Sequence, residues 1–233
     1  MPQQKRAGGP QNREGKRGDP RDKLLTVAID VFGRYGFEGA TTRVLADTAG
    51  VNLQAIPYYF GGKEGLYIAA AEHIAGMISS HVAELRETVR GRLEAAEREG
   101  SELNAAEARA LLTEILQKMA EIFVSPQSAP WARFLIREQM EPTEAFQRVY
   151  GGVMQPTLEV ATRLVGILLA EPAGSEHVKL RTIALLGSLM VFRMAQAAAQ
   201  AYLGWPQFGD RETVEIRSLA AELVGLLHPR DVS

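Results

Sequence analysis

Apolar residues recur at three- and four-residue intervals through almost the whole chain, and no stretch shows the two-residue alternation of a strand. The pattern predicts an all-α protein. Asp19-Pro20 reads as a helix start, with a capping carboxylate before a proline at the position where its missing N–H does no harm. Leu24, Leu25, Ala28, Ile29, Phe32 and Tyr35 then share one face, and Gly36 ends that helix. Two short helices follow. Thr42 is positioned to cap the first, whose Leu45, Ala46 and Ala49 lie on one side and whose end falls at Gly50; Asn52 is positioned to cap the second. Val51 and Ile56 have the spacing of a hydrophobic staple across that second start. A long segment over about 63–99 starts amphipathic and finishes in the charged run RGRLEAAEREG, before a break at Gly100-Ser101. Helices are predicted over about 105–124, from Pro130 through the 130s, on to about 169, and over about 176–203 and 211–228. No internal repeat is present.

Two short helices joined by a tight turn form a helix-turn-helix pattern, in which the second helix has few apolar side chains to bury and is free to enter a major groove. Gln54 is the best-placed base reader, since its amide can pair bidentately with adenine. Tyr58 and Tyr59 can offer hydroxyls to phosphates, and Lys63 a charge. Lys63 also opens the next helix behind Gly61 and Gly62, where free N–H groups and the positive dipole end favour a phosphate. Arg43 is either a phosphate contact or a solvated surface arginine. The DNA-facing candidates are therefore Thr42, Arg43, Asn52, Leu53, Gln54, Ala55, Tyr58, Tyr59 and Lys63.

The run DPRDKLLTVAIDVFGRYGFEGATT, followed by TTRVLADTAGVNLQAIPYYFGGKEGLY, resembles the DNA-binding domain of the TetR family of transcriptional regulators over roughly residues 20–67. The chain departs from the family pattern at Pro57, five positions into the expected reader helix. Proline there removes a bond to the Leu53 carbonyl, and a short, distorted reader is expected. ARFLIREQMEPTEAF and VYGGVMQP further resemble the CecR-type branch of the family, with its characteristic C-terminal domain. The resemblance implies a DNA-binding domain over 19–67 and a ligand-binding and dimerisation domain over 68–233. Such a protein is a repressor that binds a palindromic operator as a homodimer and is released by a small molecule. The alternative is a helical sensor or interaction protein without sequence-specific DNA binding, with Pro57 as the cause.

Composition agrees with that organisation. A chain of 233 residues with 46% hydrophobic content can fill a small DNA-binding domain and a second helical core. Residues 1–60 carry nine basic and six acidic side chains, a net of +3, whereas the remainder carries 17 and 22, a net of −5, so positive charge gathers where DNA would bind. Residues 1–18 contain Lys5, Arg6, Arg13, Lys16 and Arg17 without apolar periodicity, and are expected to be a disordered arm that reaches DNA or a solvated leader. No run suits a membrane span or a signal peptide, and a cytoplasmic protein is expected. The absence of cysteine excludes disulfides, thiol catalysis and thiolate metal sites. His73, His81, His177 and His228 have no metal-ligand spacing, GGKEG has the wrong spacing for a phosphate-cradling loop, and no catalytic constellation, cofactor or metal site is expected.

An effector pocket is expected between helices of the C-terminal part, apolar with a few polar groups. Its candidates are Met119, Phe123, Trp131, Phe134, Arg137, Glu138, Phe146, Tyr150, Met154, Phe192 and Arg193; each apolar one could equally be ordinary core. Arg193 lies in the apolar run LLGSLMVFRMAQAAA, where an unpaired guanidinium would be costly, so it must reach water, an acidic partner such as Glu138, or an anionic ligand. Ala184, Gly187, Ser188, Val191, Ala195, Ala198 and Ala199 permit close helix approach on the helix 176–203, and Leu219, Leu223, Leu226 and Leu227 stripe the last helix. A two-fold four-helix interface is expected there.

Overall fold

The computed structural model describes residues 19–101 and 103–229, and the basic arm expected over residues 1–18 lies outside them. Eleven α-helices occur among the described residues: α1 (Pro20–Gly39), α2 (Thr42–Ala49), α3 (Ala55–Phe60), α4 (Lys63–Arg98), α5 (Ala105–Val124), α6 (Ala129–Met140), α7 (Glu144–Val149), α8 (Gln155–Leu169), α9 (Glu176–Met194), α10 (Gln196–Leu203) and α11 (Asp210–Gly225). No strand occurs among those residues.

Side-chain caps start the helices where the sequence supplies them. Asp19 accepts from the Arg21 N–H at 2.9 Å, Asn104 from Glu107 at 2.9 Å and Ser175 from Val178 at 3.2 Å. In α2 the cap is Thr41, whose Oγ1 accepts from Val44 N–H at 3.2 Å; Thr42 is the first helical residue and not the expected cap. The two threonines compete for the same role, and the one in extended conformation takes it. Tyr35 is also misplaced by periodicity. It is 60% exposed, one residue before the break in α1 at Gly36.

Two hydrophobic clusters hold the molecule together. The first joins α1, α2 and α3 to Leu66–Ala75 of α4 and takes in Phe134 of α6, Ala145 and Val149 of α7, and Val153. The second joins Val89, Leu93 and Ala96 of α4 to α5, α8, α9 and α11. The 36 residues of α4 span about 54 Å at 1.5 Å per residue, so one helix runs through both clusters. Between Ala75 and Val89 it buries no residue fully.

Two irregularities shape the C-terminal part. A π-helical turn over Tyr150–Met154 connects α7 to α8, two residues before Pro156. Proline cannot donate to the carbonyl four residues back and crowds it, and the wider turn accommodates that defect. The expected single helix over 176–203 is two helices, α9 and α10, bent by 83° at Ala195. Neither proline nor glycine marks the bend. No single helix among the described residues is long and apolar enough to cross a membrane.

Candidate nucleic-acid interface and effector cavity

The turn between α2 and α3 is a Schellman closure: Gly50 takes φ 63°, its N–H reaches the Asp47 carbonyl, and the Val51 N–H reaches the Ala46 carbonyl at 3.1 Å. Asn52 does not cap α3 itself. Its Oδ1 accepts from the Gln54 N–H at 2.9 Å and its carbonyl from the Ala55 N–H at 2.9 Å, which makes a tight turn that leads into α3. Pro57 is consequently the third residue of α3, within the first turn, where an N–H has no helical partner in any case. The Leu53 carbonyl is not orphaned, since it accepts from Ile56 N–H at 3.3 Å. The expected distortion is absent because the helix begins two residues later than the sequence suggested.

This geometry orients the reader. Val51 and Ile56 point into the first cluster, and Ile56 is fully buried. Asn52, Gln54, Leu53, Tyr58 and Tyr59 are exposed, with Tyr58 81% accessible and its ring set edge-on against Tyr59 at 4.8 Å. Arg43 is exposed beside them, while Thr42 and Ala55 are half-buried. The Lys63 ammonium lies 4.3 Å from the centre of the Phe37 ring, a cation–π contact at the N-terminus of α4. The reader helix ends directly on α4. A Cβ at Gly65 would stand 1.8 Å from the Phe60 carbonyl oxygen, so only glycine allows this backbone contact.

In the bare middle stretch of α4, Ile78 and Val82 wall a cavity of about 200 Å³ with no polar lining. Met119, Ile122 and Phe123 of α5, Trp131 and Leu135 of α6, and Val153, Met154 and Leu158 around the π turn complete it together with Thr157 and Leu186. Four of the sequence candidates thus meet at one cavity: Met119, Phe123, Trp131 and Met154. The others lie elsewhere. Phe134 is fully buried in the first cluster, and Phe146 stacks on Tyr150 at 5.7 Å away from the cavity. Phe192 packs edge-on against Phe208 at 6.2 Å in the second cluster.

Arg193 forms no ion pair with Glu138 and does not line the cavity. Its Nε donates to the Phe123 carbonyl at 2.5 Å and its Nη2 to the Ser125 carbonyl at 2.6 Å, capping the end of α5. Burial lowers its pKa from the ordinary guanidinium value. Arg109 treats the end of α11 in the same way, donating to the Val224 carbonyl at 2.5 Å and the Leu227 carbonyl at 2.8 Å.

Glu138 belongs to a buried node that joins α6 to α4. Its Oε1 accepts a short hydrogen bond from the Tyr67 hydroxyl, and its Oε2 accepts from the Thr143 N–H at 3.1 Å and Oγ1 at 2.8 Å. Tyr67 sits in an aromatic nest, 4.7 Å from Phe134, 4.8 Å from Phe32 and 5.2 Å from Phe37. Burial, reinforced by the bond to Glu138, pushes the phenol pKa well above its ordinary value. Arg137 lies against Gly36, with its Nε buried and without a hydrogen-bond partner. Trp131 and Leu135 form one row along α6 and Phe134 and Glu138 the adjacent row. One short helix therefore touches both the cavity and the node beneath the reader. Sequence reasoning passed over Tyr67, for its partner is 71 residues away and no local pattern links them.

Residues 24–70 match the family described as bacterial regulatory proteins, tetR family, and residues 108–228 match the C-terminal domain of the HTH-type transcriptional dual regulator CecR. The chain is 33% identical over 195 residues to the HTH-type transcriptional dual regulator CecR of Shigella flexneri, covering 83% of this chain and 84% of that one. Among solved structures it resembles the transcriptional regulator FadR of Bacillus subtilis, with a TM-score of 0.56 at 15% identity over 87% of this chain and 96% of that one. A transcriptional regulator from Pseudomonas aeruginosa PAO1 gives 0.55 at 20% identity, over 93% and 97%. The two structural likenesses show the fold.

Proposed function

The chain belongs to the TetR family of bacterial regulatory proteins and carries a CecR-type C-terminal domain, so it is a DNA-binding transcriptional regulator and not an enzyme; from that premise we propose that it is a homodimeric repressor whose hold on a palindromic operator is released by a small, largely apolar effector. Residues 19–67 read the DNA, and residues 68–233 receive the effector and dimerise. The observation that carries this reading is α6, whose Trp131 and Leu135 wall an apolar cavity while Phe134 and Glu138 grip Tyr67 at the root of the reader.

In operation, Gln54 reads a base edge, and Tyr58, Tyr59, Arg43 and the N-terminus of α4 with Lys63 hold phosphates. An effector in the cavity displaces Trp131 and Leu135, and the adjacent row of α6 transmits the shift through Tyr67 to the start of α4. That changes the separation of the two readers, which must match half-sites about 34–36 Å apart. Release requires only that the effector bind the DNA-incompetent state better than the competent one.

Dimerisation is supported by uncovered apolar side chains on α9 and α11. Leu180, Ile183, Val191 and Met194 of α9, Val214 of α11 and Leu226 just past its end are all exposed. Each is roughly half exposed, so covering it stabilises an interface by about half of the 1.5–3 kcal/mol of a complete transfer. Of the stripe expected from Leu219, Leu223, Leu226 and Leu227, Leu227 is buried, Leu219 and Leu223 are partly buried against the second cluster, and Leu226 is exposed. The sensor reading without an operator rested on Pro57, and its position in the first turn of α3 removes the objection to a working reader.

The test is selection of bound sequences from a random DNA pool by the purified protein at two salt concentrations. A palindrome recovered at both is expected; salt-sensitive binding without a motif would overturn operator recognition. Equal effector affinity for free and operator-bound protein would overturn the release mechanism.

A further inference from the structure

A second hollow of about 450 Å³ lies on the other side of the cavity wall, between α1, α4, α5 and the start of α6. Ile78, Ile122 and Trp131 line both chambers. Helical spacing explains the shared wall. On α4, Ile78 and Val82 face the inner chamber, and the neighbouring row His73, Met77 and His81 faces the outer one. On α5, Met119 and Phe123 face inward and Lys118 and Glu121 outward, with Ile122 between them.

The chambers differ in chemistry. The inner one has no polar lining, whereas the outer one presents Lys118, Glu121, two histidines and the hydroxyls of Thr26, Ser125 and Ser128. Glu121 is already matched twice, by Lys118 Nζ at 3.3 Å and by Arg217 Nη1 at 3.1 Å. Arg217 stands outside the hollow's lining, and with it the three groups carry one net positive charge beside the outer hollow. Size points the same way. An apolar cavity of about 150 Å³ admits a benzene ring, so the inner chamber holds one ring or a short chain. The two chambers together fall within the ~300–1,000 Å³ of organic-ligand sites.

We infer that the effector is an amphiphilic organic anion, with its ring or short chain in the inner chamber and its carboxylate or similar head group beside Lys118 in the outer one. This rests on the reading of the inner chamber as the effector site. A cationic head would meet the net positive charge of Lys118, Glu121 and Arg217.

Trp131 borders both chambers and is one of two tryptophans, so Trp205→Phe leaves it as the sole indole reporter. The full chain with that substitution is titrated with 3-phenylpropionate, 3-phenyl-1-propanol and 3-phenylpropylamine, with Trp131 emission as the readout. The carboxylate is expected to bind at least tenfold tighter than the alcohol, and the amine most weakly. Lys118→Met should bring the carboxylate to the alcohol's affinity and leave the alcohol unchanged, which also reports an intact inner chamber. Equal affinity for the three probes, or an undiminished carboxylate preference in Lys118→Met, overturns the anionic head and leaves the chamber as effector site. No response of Trp131 to any probe overturns the inference and the reading beneath it together.

Discussion

The first three turns of α4 and its middle stretch belong to one helix and are built in opposite ways. Leu66, Tyr67, Ala70, Ala71, Ile74 and Ala75 are buried against α1, α3 and α6, with the Tyr67 hydroxyl and the Glu138 carboxylate satisfying each other. From Gly76 to Thr88 the helix buries no residue fully, and Ile78 and Val82 face an empty apolar chamber. A close-packed region moves as a unit, whereas a void has room for a ligand or a rearranged side chain. Under the proposed mechanism, the contrast separates where a signal enters from where it must be passed on intact.

Substitutions on α6 test that contrast most severely. Phe134→Ala removes a fully buried ring from the packed side and should cost about 3–5 kcal/mol. Leu135→Ala, one residue along but on the wall of the existing chamber, should cost under about 2 kcal/mol, since the side chain is only partly buried and loses fewer packing contacts. Urea denaturation of the pair measures both, and equal costs would break the distinction between the two rows. Gly65→Ala comes next. Its Cβ would collide with the Phe60 carbonyl, so a loss of about 1–3 kcal/mol is expected, with operator affinity falling at least a hundredfold while overall helicity by circular dichroism is kept. An operator affinity within threefold of the parent would show that α3 is not seated through this contact.

Tyr67→Phe sharpens the comparison at the hydrogen-bond level. It strips Glu138 Oε1 of its donor in a buried site and should cost about 1–3 kcal/mol. The same residue predicts a pH signature. A phenol whose folded pKa is raised stabilises the native state fully below the ordinary tyrosine value of about 10, and that contribution fades as pH rises through the folded value. The stability gap between parent and Tyr67→Phe should therefore narrow as pH climbs above about 10; a gap independent of pH would mean that Tyr67 ionises like an exposed phenol. The smallest effect on folding is expected at the reader surface. Gln54→Ala should change stability by less than about 0.5 kcal/mol, yet weaken selection at one base position by about 1–3 kcal/mol in a competition assay.

Legibility in the sequence followed the range of the interaction. Asn104 and Ser175 act on N–H groups three residues away and fix the starts of helices whose bounds alone had been read; Asp19 was read as a cap because it acts on an N–H group two residues away. Gly50 in the helix-turn-helix turn was legible for the same reason. Where two adjacent residues could do one job, as with Thr41 and Thr42, the boundary slipped by one. The later start of α3 was missed because Asn52 can cap a helix or an isolated turn with the same side chain, and it makes the turn. Four cavity residues were recognised by type, as soft or aromatic side chains on α5, α6 and the π turn. Phe134, Phe146 and Phe192 have the same composition and different neighbours.

The sequence by itself determined the all-α class, the two-helix reader with its glycine turn and the family, because caps, turns and helical periodicity act within a few residues of one another. The tertiary structure alone decided which apolar residues surround a void and which fill a core, that Arg193 caps α5 and pairs with no carboxylate, that α9 and α10 bend at Ala195, and that Tyr67 meets Glu138. Each of those outcomes depends on groups brought together from distant parts of the chain, and their packing and desolvation exist only once the helices have assembled.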